Sequence, residues 1–220
     1  MRTKTLLLTA VALAAGLTAS TAQTVYSQNV VGYVNVPIQG ATGGKYSLIA
    51  NPLDAGNNTI SNVVQNPADG ATFFFWNGHG YSLSQFAFGS WDSNATNTVP
   101  PGVGIFVQTA GNFTNTYTGT VLQSNSPNSS ITFPAGYSII SSQFPVNGDA
   151  DSLGLTAKLA DGDVVYKWNY AKQGFDLYQW AFGAWSCQGV PSSAPTLNPG
   201  ESAFLSSQHG GTWTNNFTVQ

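Results

Sequence analysis

Charge, cysteine and helical periodicity are all scarce in this chain. Only 7% of its 220 residues are Asp, Glu, Lys or Arg, and the formal net charge is −3. Nucleic-acid binding needs clustered cations to neutralise phosphates, and no such cluster exists here. Attraction to an acidic membrane surface is disfavoured on the same ground. The lone cysteine, Cys187, cannot close an internal disulfide, so stability must come from a packed core. Its neighbours in the run WSCQG supply neither base nor cation to activate a thiolate, and it reads as an inert thiol. The two histidines, His79 and His209, lie in Gly-flanked stretches with no nucleophile motif beside them. No catalytic residue is assigned, and the chain is read as a non-enzyme. Helix signals are confined to the windows 59–65 and 152–159, each barely two turns long.

The first 22 residues stand apart from the rest. Arg2 and Lys4 precede an apolar run from Leu6 to Leu17, and Ser20-Thr21-Ala22 forms a small-residue exit. That run is too short and too rich in alanine to span a bilayer, and no second apolar stretch follows. Residues 1–22 are therefore read as a secretory signal peptide, with no membrane insertion. The expected location is the periplasm, the cell surface or the extracellular space. From Gln23 onward four lysines face nine acids, a net charge of −5. Solubility then rests on Asn, Gln, Ser and Thr.

Repetition is what the chain has in plenty. The stretch GKYSLIANPLD, then DGATFFFWNG, YSLSQFAFGSW and PPGVGIFVQ is answered by GYSIISSQFPV, DGDVVYKWN, FDLYQWAFGAW and NPGESAFLS. Tyr46 falls over Tyr137, Asp69-Gly70 over Asp161-Gly162, Trp76-Asn77 over Trp168-Asn169, Trp91 over Trp185, and Pro101-Gly102 over Pro199-Gly200. Within each copy, β-branched and aromatic stretches cut by Gly, Pro and Asn predict strands at 46–50, 72–76, 81–88 and 104–108, matched by 137–141, 164–168, 175–182 and 202–206. The DG pairs suit hairpin turns. A strand or hairpin over 26–38 precedes the first copy. The expected fold is all-β, with two homologous tandem units that are small sandwiches or barrels, or together one body of approximate two-fold symmetry. The expected division is an N-terminal strand plus first repeat over 23–119, a linker region rich in Ser, Asn and Pro over 120–134, and a second repeat over 135–220.

The pattern VYSQNVVGYVNV behind a signal peptide, followed by YSLIANPLD, DG, an aromatic-Trp-Asn-Gly run and PPGVGIFVQ, resembles a group of uncharacterised secreted two-repeat proteins of Verrucomicrobia-type bacteria. More loosely, each unit is similar to β modules of bacterial surface proteins. The resemblance covers essentially the whole mature chain and implies export and a β fold. It implies no catalytic residues.

Landmarks shared by both copies report what the fold requires twice. Trp76 and Trp168 are expected in the core, as are Trp91 and Trp185. Function is sought where the copies differ. In the second, Asp176, Tyr178, Trp180 and Phe182 share a face by the strand period of two, where the first has Ser82, Ser84, Phe86 and Phe88. A row of aromatics beside a carboxylate is what a flat sugar ring requires, so Asp176, Tyr178 and Trp180 are the candidate ligand-binding residues. Burial of the same row as core is the competing reading. Phe75 stands where the second copy has Lys167, a face that reaches water, so Phe75 is a candidate apolar partner surface; a contact inside the chain is the alternative.

The acids of NGDADSLG alternate like those of a calcium loop but lack its third ligand and closing Glu. They are read as solvated turn acids, so no cofactor is assigned and a structural calcium ion is not favoured. Two functions compete: a structural or assembly module that associates with itself or an extracellular matrix, and a carbohydrate-binding module using the aromatic face of the second copy on a polysaccharide.

Overall fold

The structure is a computed structural model and describes residues 30–124, 126, 129–215 and 217. The signal-peptide reading of 1–22 and the start of the expected 26–38 strand lie outside the described residues. In the first half the strands are β1 (Val31–Ile38), β2 (Lys45–Ala50), β3 (Thr72–Trp76), β4 (Tyr81–Ala87), β5 (Ser90–Trp91), β6 (Gly104–Thr109) and β7 (Phe113–Thr120). One helical turn, α1 (Ile60–Val63), follows β2. The second half contains β8 (Ser130–Phe133), β9 (Gly136–Ile140), β10 (Gly148–Asp149), β11 (Val164–Asn169), β12 (Gly174–Ala181), β13 (Ala184–Cys187), β14 (Val190–Ser192), β15 (Thr196–Leu197), β16 (Ala203–Ser207) and β17 (Gly211–Thr214). A short 3₁₀ turn spans Thr156–Lys158. The fold is all-β.

Each half is built around one antiparallel sheet. The first runs β2-β6-β3-β4-β5, and the second runs β9-β16-β11-β12-β13-β14. Read through the sequence alignment, the strand order is the same, with β14 added at one edge. Each sheet has a two-stranded ribbon beside it, β1 with β7 in the first half and β8 with β17 in the second. The strand β8 falls inside the stretch expected as linker. Composition hid it, because Ser and Asn crowd the sequence before it, while Ile131 and Phe133 supply the inward side chains.

Strand alternation sorts the side chains into three apolar layers. On β3, Phe73 and Phe75 point to an outer core completed by Ile60, Ile105, Val107, Tyr117 and the inward residues of β1. On β11, Val165 points to the matching outer core with Leu205, Trp185, Phe133 and Trp213. Opposite faces of both sheets meet in a middle layer. Leu48, Phe106, Ile139 and Phe204 are buried there, with Tyr46, Phe74, Trp76, Tyr166, Trp168 and Phe175 packed around them. Strands apolar on both faces are what a central layer demands.

Two turn assignments differ from expectation. The DG pairs do not join hairpins: Ala71 N–H bonds Ala68 O and Asp163 N–H bonds Ala160 O, so each pair turns the chain into β3 or β11. The hairpins β4–β5 and β12–β13 are closed by Phe88-Gly89 and Phe182-Gly183, with φ of 53° and 75° in both pairs. Those are type I′ turns, in which both central residues take positive φ.

Candidate functional site

The middle layer is fastened by bonds that come in reciprocal pairs. Trp76 Nε1 donates to Tyr137 O at 2.9 Å, and Trp168 Nε1 donates to Tyr46 O at 2.9 Å. Ala50 N–H donates to Gly200 O and Ser141 N–H to Gly102 O, both at 2.9 Å. The two Pro-Gly turns are thus clasps between the halves. A Cβ on Gly200 would stand 2.3 Å from Val36 Cγ2, and one on Gly102 would stand 2.5 Å from Ile131 Cδ1.

At one side of this layer the two sheets part and leave an open cleft of about 360 Å³. The rings of Phe106 and Phe204, 5.9 Å apart, form its floor. Trp76 and Tyr81 wall it from the first sheet, and Tyr137, Tyr166 and Phe175 from the second. Tyr81 is 43% exposed and Tyr137 50% exposed, whereas Phe106 and Phe204 are buried. Burial pushes the Tyr81 and Tyr166 phenols above their ordinary pKa, with a hydrogen bond to Tyr137 adding to the rise at Tyr166. No Asp, Glu, Lys, Arg or His side chain lines the cleft. Its size lies at the small end of the ~300–1,000 Å³ range of small-molecule sites.

A second feature lies at the hairpin tips. Phe88 is 97% exposed and Phe182 94% exposed. Both hold a positive φ that a non-glycine residue adopts at a cost of about 1–2 kcal/mol. The DG turns brace them. Asp69 Oδ1 accepts the Gly89 N–H at 3.3 Å, and Asp161 Oδ1 accepts the Phe182 N–H at 3.0 Å. Gly70 N–H bonds Phe86 O and Gly162 N–H bonds Trp180 O. The expected strands 81–88 and 175–182 end on Phe88 and Phe182, whereas both residues stand at turn tips. The two-residue spacing between paired Ala87 and Ser90, with a glycine second, was the signal for a tip.

Other expected site residues have other roles. Asp176, Tyr178 and Trp180 do share a face of β12, but that face turns toward the second outer core. Tyr178 and Trp180 are half-buried against it, and the Trp180 ring packs at 54° to Trp185. Burial pushes the Tyr178 phenol up. Asp176 is occupied by Lys172, Asn169 and Gln188, and the Lys172 ammonium holds its carboxyl below the usual range. Phe182 leaves the row because the I′ turn rotates it out to the tip.

Phe75 is no partner surface. At 8% exposure it lies in the first outer core, under the β1–β7 ribbon and α1. Its counterpart Lys167 reaches solvent by bonding Thr196 and pairing with Glu201 at 3.4 Å.

The remaining landmarks are structural. Trp91 and Trp185 pack on their outer cores, as expected. Trp76 and Trp168 lie in the middle layer between the sheets. Asp149 accepts the Ser152 N–H, which holds its carboxyl below the usual range, and Asp151 accepts from Thr156 and Trp185. Among the described residues no three His, Cys, Asp or Glu side chains gather as a metal site. Asp163 is buried and accepts from the Ala160 and Gln208 amides and the Ser207 hydroxyl.

With this geometry in view, comparison with known proteins returns nothing. No protein family, curated protein or solved structure matches the chain. Its function has to be read from its own surfaces.

Proposed function

We propose that this is an exported, non-catalytic surface or extracellular module, made of two copies of one β unit, that works by assembly with itself or with a matrix. One observation carries the reading: each half holds a phenylalanine almost fully in water, on a braced hairpin tip, in a conformation that favours Asn or Gly. Residues kept in unfavourable geometry cluster at functional positions. Exposed phenylalanine is also a strong anchor once a partner buries it, by roughly 1.5–3 kcal/mol. A chain with only 7% charged residues opposes close approach between copies weakly. The second reading, carbohydrate binding on Asp176, Tyr178 and Trp180, has less support, because both aromatics are half-buried against the second outer core.

The test is sedimentation of the mature protein over a concentration series, with Phe88→Asn, Phe182→Asn and the double variant beside it. The expected outcome is association that weakens in each single variant and vanishes in the double one. Each variant should at the same time be more stable to denaturant by about 0.5–1 kcal/mol, because Asn-Gly is the favoured I′ pair. A wild type that stays monomeric and binds no apolar or matrix surface would sink the reading. So would association indifferent to both tips.

A further inference from the structure

We infer that the cleft between the sheets is a binding site for one sugar ring of an uncharged glycan, seated on Phe106 and Phe204 between Tyr81 and Tyr137. The molecule itself supplies the comparison. On the Trp168 side of the middle layer, the main chain of Tyr46 in the first half is covered by the side chain of Gln173 from the second. Its Oε1 accepts the Tyr46 N–H at 2.8 Å, and its Nε2 donates to Tyr46 O at 3.2 Å and to Tyr170 O at 2.8 Å. On the Trp76 side the corresponding main chain is that of Tyr137 in the second half, bonded by Trp76. There the connecting turn is two residues shorter. Asn77 Oδ1 takes the His79 and Gly80 amides, so the turn folds back on itself and His79 is exposed. The result is asymmetric: Tyr46 is half-buried, while Tyr137 is 50% exposed at the edge of the cleft.

Gln173 therefore marks what suits the open end: a neutral group that donates and accepts together, over an aromatic bed. The hydroxyls of a pyranose do both, and its axial C–H face stacks on aromatic rings as an amide plane does. Tyr81, Tyr137 and Tyr166 line the same cleft mainly through their ring faces, with the Tyr137 and Tyr166 side chains bonded to each other, and no charged side chain lines it. An anionic ligand would be left without a counter-charge in an aromatic cleft. The site is separate from the hairpin tips, so its failure would leave the assembly reading standing.

The experiment is titration of the mature protein with neutral hexasaccharides of glucose, xylose, mannose and N-acetylglucosamine, followed by tryptophan fluorescence and ligand-observed NMR. Polygalacturonate serves as the charged comparison. Saturable binding of at least one neutral probe is expected, weakened about tenfold by Tyr81→Ala and by Tyr137→Ala. Tyr178→Ala, on the opposite face of its sheet, should leave it unchanged. Replacing Gly78-His79 by the four residues found at 170–173 should plug the cleft and abolish binding while the unfolding midpoint holds. The inference is overturned by dissociation constants above about 1 mM for every neutral probe. It is equally overturned by binding that survives the plug, or that is lost in Tyr178→Ala and kept in Tyr81→Ala.

Discussion

Trp76 and Trp168 do the same work in opposite directions: each donates its indole N–H at 2.9 Å to a tyrosine carbonyl of the other half. A side chain that leaves its own sheet to bond the facing one couples the stabilities of both. Trp168→Phe keeps the ring and loses that bond, at an expected cost of about 1–2 kcal/mol. Trp76→Phe, nearer solvent, should cost less. Denaturant unfolding of the wild type should follow one transition for both halves, and two separated transitions would show that the middle layer does not couple them.

Gly104 sits directly against the second sheet. A Cβ there would lie 2.3 Å from Ser202 Cβ and 2.4 Å from Ile139 Cγ2. Gly104→Ala must push the halves apart, and a loss of about 1–3 kcal/mol is expected in chemical denaturation. Gly80→Ala, with nothing within 4 Å of its Cβ, is the comparison and should stay within ~0.5 kcal/mol of the wild type.

Tyr117 is fully buried in the first outer core, and burial pushes its phenol well above the ordinary value of 10. The folded state therefore favours the neutral phenol. That contribution is whole below the unfolded pKa of about 10 and is lost as pH rises through the folded value. Stability measured between about pH 9 and 12 should fall with pH, and Tyr117→Phe should flatten the fall. Among the described residues the phenol oxygen has no hydrogen-bond partner of good geometry, the Asn115 side chain being near enough only to draw its pKa back in part, so the same variant should be more stable at neutral pH by about 1 kcal/mol. A variant less stable than the wild type at pH 7 would show that the hydroxyl is satisfied.

Much of this architecture was legible in the chain. Alternation placed strands β2, β3, β4, β6, β9, β11, β12 and β16 within a few residues, and both helical windows hold a short helical turn. The site was less legible. Period two shows that Asp176, Tyr178 and Trp180 share a face, but not which of two apolar layers that face meets. On β12 the answer went to Phe175, one residue out of step, whose side chain enters the middle layer. Phe75 misled for the same reason, since its cover comes from β1 and β7, elements distant in sequence.

By itself, then, the sequence determined the all-β class, the order of strands along the chain and the positions where glycine had to turn it. Those are local properties, written in side-chain period and backbone freedom. Only the tertiary structure decided that the two halves meet through Phe106 and Phe204, that the short turn at His79 leaves a cleft open, and that Phe88 and Phe182 stand in water. The first two depend on which surfaces pack against each other across more than fifty residues of chain, where contact is set by the shape of the assembled sheets, and the tips on braces that reach about twenty residues along it.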